Sequence, residues 1–308
     1  MAAVVEARAL TTSYGRARTR GIVDVDLTVA PGQVMGLVGA NGAGKTTLMR
    51  TMLDFIHPDS GSLRLHGLDS RAGSVAIRRR TTYLPGELVL PARLTGRGVV
   101  DRYLAVRRDV GADRVTSLAR DLDLDLDRAV GDLSKGNRQK LGLLLAFAPA
   151  ADLLVLDEPT SGLDPLLQRR FAELVADATS RGAALLLSTH VMGEVEQVAD
   201  SVALMREGRV VTVEPLAALL ARGVRRGRAR PADPDGAAAL AHALRTTPGT
   251  ADVLVEGSDS APLVTFVVRG DVNPMLAVLA RHRLDTFDLA HVDLEDAFFR
   301  TEGRGSAP

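Results

Sequence analysis

The chain has no cysteine, so disulfides, thiolate zinc sites and cysteine nucleophiles are excluded, and a reducing compartment is allowed without being required. It has no excess of either charge: 38 Lys and Arg balance 38 Asp and Glu. No whole-chain attraction to nucleic acid follows, and nucleic acid is not an expected partner. Long apolar runs are missing too. The longest, Leu141 to Ala151, stops at Asp152, well short of the ~20 residues that cross a bilayer as a helix. The N-terminus MAAVVEARAL carries Glu6 and lacks a basic start before a long apolar run, so it does not read as a secretory signal. With 308 residues, one large domain plus a smaller one is the natural expectation.

What is present alternates between strand and helix. DVDLTV (24–29) reads as an edge strand, QVMGLVG (33–39) as a buried strand, and KTTLMRTMLDF (45–55) as a helix broken by His57-Pro58-Asp59-Ser60-Gly61. From about 88 to 148 the pattern is mostly helical, which predicts a helical subdomain. Buried strands return at LLVLD (153–157) and ALLLSTH (184–190), with a helix over 166–179 between them, the pattern of a parallel sheet. The stretch rich in Arg, Gly, Pro and Asp over 222–236 marks the boundary, giving expected domains 1–221 and 222–308. The second reads as a ferredoxin-like βαββαβ module followed by a last helix from Leu294, with Gly303 to Pro308 as a tail.

The sharpest signal is Gly39-Ala40-Asn41-Gly42-Ala43-Gly44-Lys45-Thr46-Thr47, a phosphate loop between a buried strand and a helix. Its glycines let backbone N–H groups turn onto phosphates, Lys45 reaches the terminal phosphates, and Thr46 offers a hydroxyl to Mg²⁺. LLVLDE (153–158) ends a buried strand in two acids. Asp157 is expected to hold Mg²⁺, and Glu158 to polarise the attacking water. Helix capping is the plainer alternative for the acid pair.

Further elements resemble the ATP-binding cassette (ABC) ATPases over about Val4 to Glu214. Leu133-Ser134-Lys135-Gly136-Asn137-Arg138-Gln139 is similar to the family signature, Ser161-Gly162-Leu163-Asp164 to the loop after the paired acids, and Ser188-Thr189-His190 to the switch histidine. The resemblance implies an α/β P-loop NTPase fold with an antiparallel β subdomain and a helical subdomain. It implies ATP and Mg²⁺ as ligands, and a head-to-tail dimer in which Ser134 and Gly136 clasp the partner copy's nucleotide. It also implies that Asp164 and His190 join Glu158 and Lys45 at the reaction centre, and that Tyr14 stacks on adenine. Alone, Ser134 leaves an ordinary helix cap as an alternative, while His190 reads as a cap and Tyr14 as packing.

The chain departs from the family pattern at Gly86, where glutamine is usual, and at Lys135 and Asn137 within the signature. Glycine has no side chain to ligate Mg²⁺, so Glu87 or water is left for that place, and slower or differently gated hydrolysis is expected. Asp121, Asp123, Asp125 and Asp127 imitate a calcium loop but place Leu126 where glycine is needed. Arg225, Arg226, Arg228 and Arg230 read as a solvated linker or strand face. The segment Val292 to Phe299 is similar to the tail of drug- and antibiotic-exporter ATPases. The expected function is thus the ATPase subunit of an exporter, at the cytoplasmic face of the membrane, with separate transmembrane permease subunits and a second ATPase copy as partners. A soluble ABC ATPase acting on ribosomes or DNA, or a regulatory ATP binder, is the rival expectation.

Overall fold

The computed structural model describes residues 2–14, 20–107, 110–221, 224–258 and 260–291. The expected helix from Leu294, the Val292–Phe299 tail motif and the loose end from Gly303 lie outside the described residues. The chain divides into two units, Met1–Pro215 and Leu216–Pro308.

In the first unit, alternating apolar residues form β1 (Val5–Tyr14) and β2 (Arg20–Val29), and the buried run after Pro31-Gly32 forms β3 (Val34–Val38). Helix α1 (Lys45–Met52) follows, then β4 (Ser60–Leu65), β5 (Leu68–Asp69), α2 (Ser74–Arg80) and β6 (Thr81–Leu84). The helical stretch supplies α3 (Gly96–Val106), α4 (Ala112–Asp121) and α5 (Lys135–Phe147). Then come β7 (Leu153–Asp157), α6 (Pro165–Ser180), β8 (Ala184–Thr189), α7 (Met192–Val198) and the hairpin β9 (Ser201–Arg206)–β10 (Arg209–Pro215).

Strands β2-β1-β4-β5 form an antiparallel sheet. The second sheet runs β10-β9-β3-β8-β7-β6, parallel except for β10. Every residue of β3, β7 and β8 is buried, which is why these strands run without alternation and turn polar only at the ends of β7 and β8. Leu48, Met49 and Met52 of α1 pack into one core with Val5 and Leu27 of the antiparallel sheet and Leu37, Val155 and Leu186 of the parallel one. Burying each such side chain stabilises the fold by about 1.5–3 kcal/mol. Because β3, β6, β7, β8 and β9 run the same way, the segments after all five emerge at one edge of the sheet, where ligands of open α/β sheets bind.

The second unit begins with α8 (Leu216–Ala221). Pro215 ends a strand, and Leu216-Ala217-Ala218-Leu219-Leu220-Ala221 is built of strong helix formers. Then follow β11 (Val224–Pro231), α9 (Gly236–Arg245), β12 (Thr250–Ser258), β13 (Ala261–Arg269), α10 (Asn273–Leu279) and β14 (Leu284–His291). The four strands form an antiparallel sheet in the order β12-β13-β11-β14. Leu240 and Leu244 of α9 and Met275 and Leu279 of α10 share a core with Ala229, Val264, Phe266 and Val268. Gly227 admits the Phe266 ring there, since a Cβ at 227 would fall 2.2 Å from it. The arginines at 226, 228 and 230 alternate with Gly227 and Ala229 along β11, which puts them on the opposite face of the strand.

Candidate functional site

The phosphate-loop sequence spans the connection from β3 to α1, where Gly42 and Gly44 take positive φ angles of 88° and 105°. A Cβ on Gly44 would press on Ile22 at 3.0 Å and on the Gly208 backbone at 3.2 Å, whereas one on Gly42 would meet nothing within 4 Å. The loop is therefore backed by protein at Gly44 and open at Gly42. The β9–β10 turn supplies part of the backing, with the Gly208 N–H donating to the Ala43 carbonyl at 3.0 Å. Lys45 is buried and donates through Nζ to the carbonyls of Gly39 and, at 3.2 Å, Ala40. Those carbonyl dipoles partly offset the cost of desolvating its ammonium.

Opposite the loop, Thr46 Oγ1 donates to Asp157 Oδ2 at 2.8 Å, and Ser188 Oγ donates to Asp157 Oδ1. The register of the parallel sheet, which pairs Asp157 with Ser188, sets up the second contact. Glu158 follows with φ at +47°, and its N–H donates to both the carbonyl and Oγ of Ser188 at 3.1 Å. Its Oε1 lies 3.0 Å from His190 Nδ1. A carboxylate in contact with an imidazole can hold or accept a proton, and a carboxylate beside a hydroxyl can face a hard cation.

A cleft of about 630 Å³ is lined by Asn41 to Thr47, Glu158, Tyr14, Gly21, Glu207 and Gly208. Tyr14 Oη stands 3.5 Å from Thr47 Oγ1. Gly21, Glu207 and Gly208 escaped the sequence reading. The only signal for the last two is the Glu-Gly turn after β9, which carries no recognisable motif.

Ser134, Gly136 and Asp164 do not line this cleft. Ser134 Oγ accepts the Asn137 N–H at 3.2 Å and caps α5. Asp164 Oδ1 accepts from the N–H groups of Leu166 and Leu167, both at 3.0 Å, and caps α6. Gly136 lies against Gly162, whose carbonyl oxygen would stand 3.5 Å from a Cβ at 136. Lys135 Nζ is 3.5 Å from Ser161 Oγ.

At Gly86 a Cβ would meet Asp157 Cγ at 3.5 Å, so this residue borders the carboxylate, while Glu87 is exposed. Burial, reinforced by the Asp157 charge, raises the Tyr83 phenol above its ordinary value. Among the described residues no cluster of three His, Cys, Asp or Glu side chains forms a metal cage, and no helix is long and apolar enough to cross a membrane.

A family profile described as ABC transporter matches residues 22–161. The chain is 36% identical over 195 residues to the probable multidrug ABC transporter ATP-binding protein YbhF of Escherichia coli, covering 62% of this chain but only 34% of that protein. It is 32% identical over 310 residues to the Nod factor export ATP-binding protein I of Paraburkholderia xenovorans, covering 98% of both. Among solved structures, an ATP-binding subunit of an ABC transporter superposes with a TM-score of 0.65 at 28% identity, over 70% of this chain and 92% of that one. With a full-length relative, a matching profile and a shared fold, the chain belongs to the ABC transporter ATP-binding proteins.

Proposed function

We propose that this chain binds ATP with Mg²⁺, hydrolyses it as one of a pair of head-to-tail copies, and so powers export through separate membrane-spanning subunits. The observation that carries the reading is the juxtaposition of two pairs at one sheet edge: Thr46 with Asp157, and Glu158 with His190.

The triphosphate lies along the loop from Asn41 to Thr47, where backbone N–H groups and the N-terminus of α1 face it and Lys45 exchanges loop carbonyls for phosphate oxygens. Thr46 and Asp157 would be the residues that hold Mg²⁺. One hydroxyl beside one carboxylate suits a hard cation that takes few protein ligands, so a three-acid cage would not be required. When bound, Mg²⁺ neutralises charge on the β- and γ-phosphates. Glu158 orients the attacking water and takes its proton, and His190 holds the Glu158 carboxylate. Tyr14, at the rim of the cleft, stacks on the adenine.

Ser134 and Gly136, which lie outside the cleft of their own chain, are the groups offered to the partner's nucleotide, and Asp164 sits in the loop beside them. Export is supported by the names of the relatives, one for multidrug transport and one for Nod factor export. The same reading puts the chain at the cytoplasmic face of the membrane, docked on its permease partners.

The test is Glu158→Gln with steady-state hydrolysis, nucleotide binding and sizing measured together. The variant is expected to lose about 10²–10⁴-fold in rate while ATP binding persists and an ATP-dependent dimer accumulates. Hydrolysis at the unaltered rate would remove Glu158 from its role.

A further inference from the structure

We infer that Gln139, on the second turn of α5, is a positioning residue for Glu158. The inference rests on the reading of Glu158 as the residue that activates water.

Glu158 is not glycine, yet its φ of +47° lies in the left-handed region, which an L side chain occupies only when its surroundings hold it there. Two sets of contacts hold it. On the amide side, its N–H is shared between the carbonyl and hydroxyl of Ser188. On the carbonyl side, Gln139 Nε2 donates to the Pro159 carbonyl at 2.8 Å and lies 3.4 Å from that of Glu158. Gln139 is buried. Its amide stands away from competing water, and losing it would leave two carbonyls without this donor.

The residue sits five positions beyond Ser134, the cap of the same helix. Lys135 and Gly136 in the first turn border Ser161 and Gly162 in the same loop. One face of α5 is thus joined to the segment 158–162, and Gln139 is the only buried polar side chain on that helix. A displacement of the signature turn, which carries Ser134, therefore reaches the Glu158 and Pro159 carbonyls directly through the Gln139 amide. A shift of about 1 Å at a reacting group can cost a hundredfold in rate.

The experiment compares Gln139→Leu, Gln139→Glu and Glu158→Gln in the full chain, measuring kcat, KM and ATP affinity by equilibrium titration. Gln139→Leu keeps the size and removes the donor. It is expected to lower kcat by about ten- to a hundredfold with ATP affinity unchanged within error. Gln139→Glu places a carboxyl against two carbonyls, which favours the protonated form. Only that form donates, so its rate relative to the parent chain should rise as pH falls from about 8 to 6.

Should Gln139→Leu fail to fold, the pH dependence of Gln139→Glu decides the matter. A Gln139→Leu protein with parental kcat, a parallel loss of kcat and ATP affinity, or a flat rate ratio for Gln139→Glu overturns the inference. In each of these cases an inactive Glu158→Gln leaves the water-activating role standing. A fully active Glu158→Gln removes that role instead.

Discussion

His190 Nδ1 and Glu158 Oε1 lie 3.0 Å apart, with half of the His190 side chain and about a quarter of the Glu158 side chain exposed. The contact joins the residue after β8 to the residue after β7, so it exists only because these strands are parallel neighbours. A carboxylate that accepts from an imidazole N–H is restricted to fewer rotamers, and one near solvent has much freedom to lose. We therefore expect His190→Ala to lower kcat by about tenfold to a thousandfold, within the range for general acid–base partners, with ATP affinity retained. Steady-state kinetics beside a binding titration checks this, and an unchanged kcat would dismiss the pair as incidental.

Gly86 is the place where the chain departs from its family's usual glutamine, and the geometry says what a side chain there would do. A Cβ would meet Asp157 Cγ and its carbonyl oxygen at 3.5 Å, an ordinary contact, and Gly86 is not among the glycines with positive φ. Gly86→Gln should fold with a stability change within about 1 kcal/mol. Its amide would stand beside the carboxylate assigned to Mg²⁺, so the Mg²⁺ concentration for half-maximal hydrolysis should fall. Thermal unfolding and a Mg²⁺ titration of the rate give the two readouts. An unaltered Mg²⁺ requirement would mean that Glu87 or water already serves the position.

The legible parts of this molecule were those in which chemistry and local structure share one stretch of chain. The loop from Gly39 to Thr47 announces both its conformation and its ligand, because glycines at fixed spacing and a lysine at a helix start have few other uses. Asp157 and Glu158 draw notice because the four apolar residues Leu153 to Leu156 end in two acids at the sheet edge. Asp164 before Pro165 also carries a local signal, that of a helix start, and the structure finds the carboxylate capping α6. By contrast, Gly208 supports the phosphate loop from 165 residues away in sequence, through its hydrogen bond to Ala43. Such a contact depends on strand order, β9 lying beside β3, and strand order is not written in any segment. The contacts of Gln139 are hidden for the same reason: its place in the signature is visible, but the carbonyls it meets belong to another loop.

The helical part of the first unit offers a prediction about pH. Asp177 on α6 pairs with Arg181 one turn on and, at 3.1 Å, with Arg114 on α4. The Arg181 guanidinium, followed by that of Arg114, holds its carboxyl below the usual 3.8. A depressed folded pKa contributes stability that is complete above the unfolded value and is lost as pH falls through the folded one. Asp177→Asn should therefore lower stability to urea at pH 7, and the difference from the parent should close below about pH 3.8. All three side chains are more than a third exposed, so the effect at pH 7 is no more than about 1 kcal/mol and shrinks with salt. A difference that persists at low pH would point to packing as its source.

Tyr14 stands at the rim of the cleft, 41% exposed, with its hydroxyl 3.5 Å from Thr47 Oγ1. Its ring is apolar, accessible and part of the cleft lining, which suits stacking on a flat base. Stacking of an aromatic side chain on a base is worth about 1–3 kcal/mol. Tyr14→Ala should thus weaken ATP binding by about fivefold to 150-fold, whereas Tyr14→Phe keeps the ring and most of the affinity. Inorganic tripolyphosphate separates this from a general disturbance of the site, because it presents the phosphates without a base. If Tyr14 acts by stacking, the Ala variant binds tripolyphosphate as the parent does and loses only the preference for ATP over it. Equal losses for both ligands would instead assign Tyr14 to support of the phosphate loop through Thr47, and the base would have to be held elsewhere.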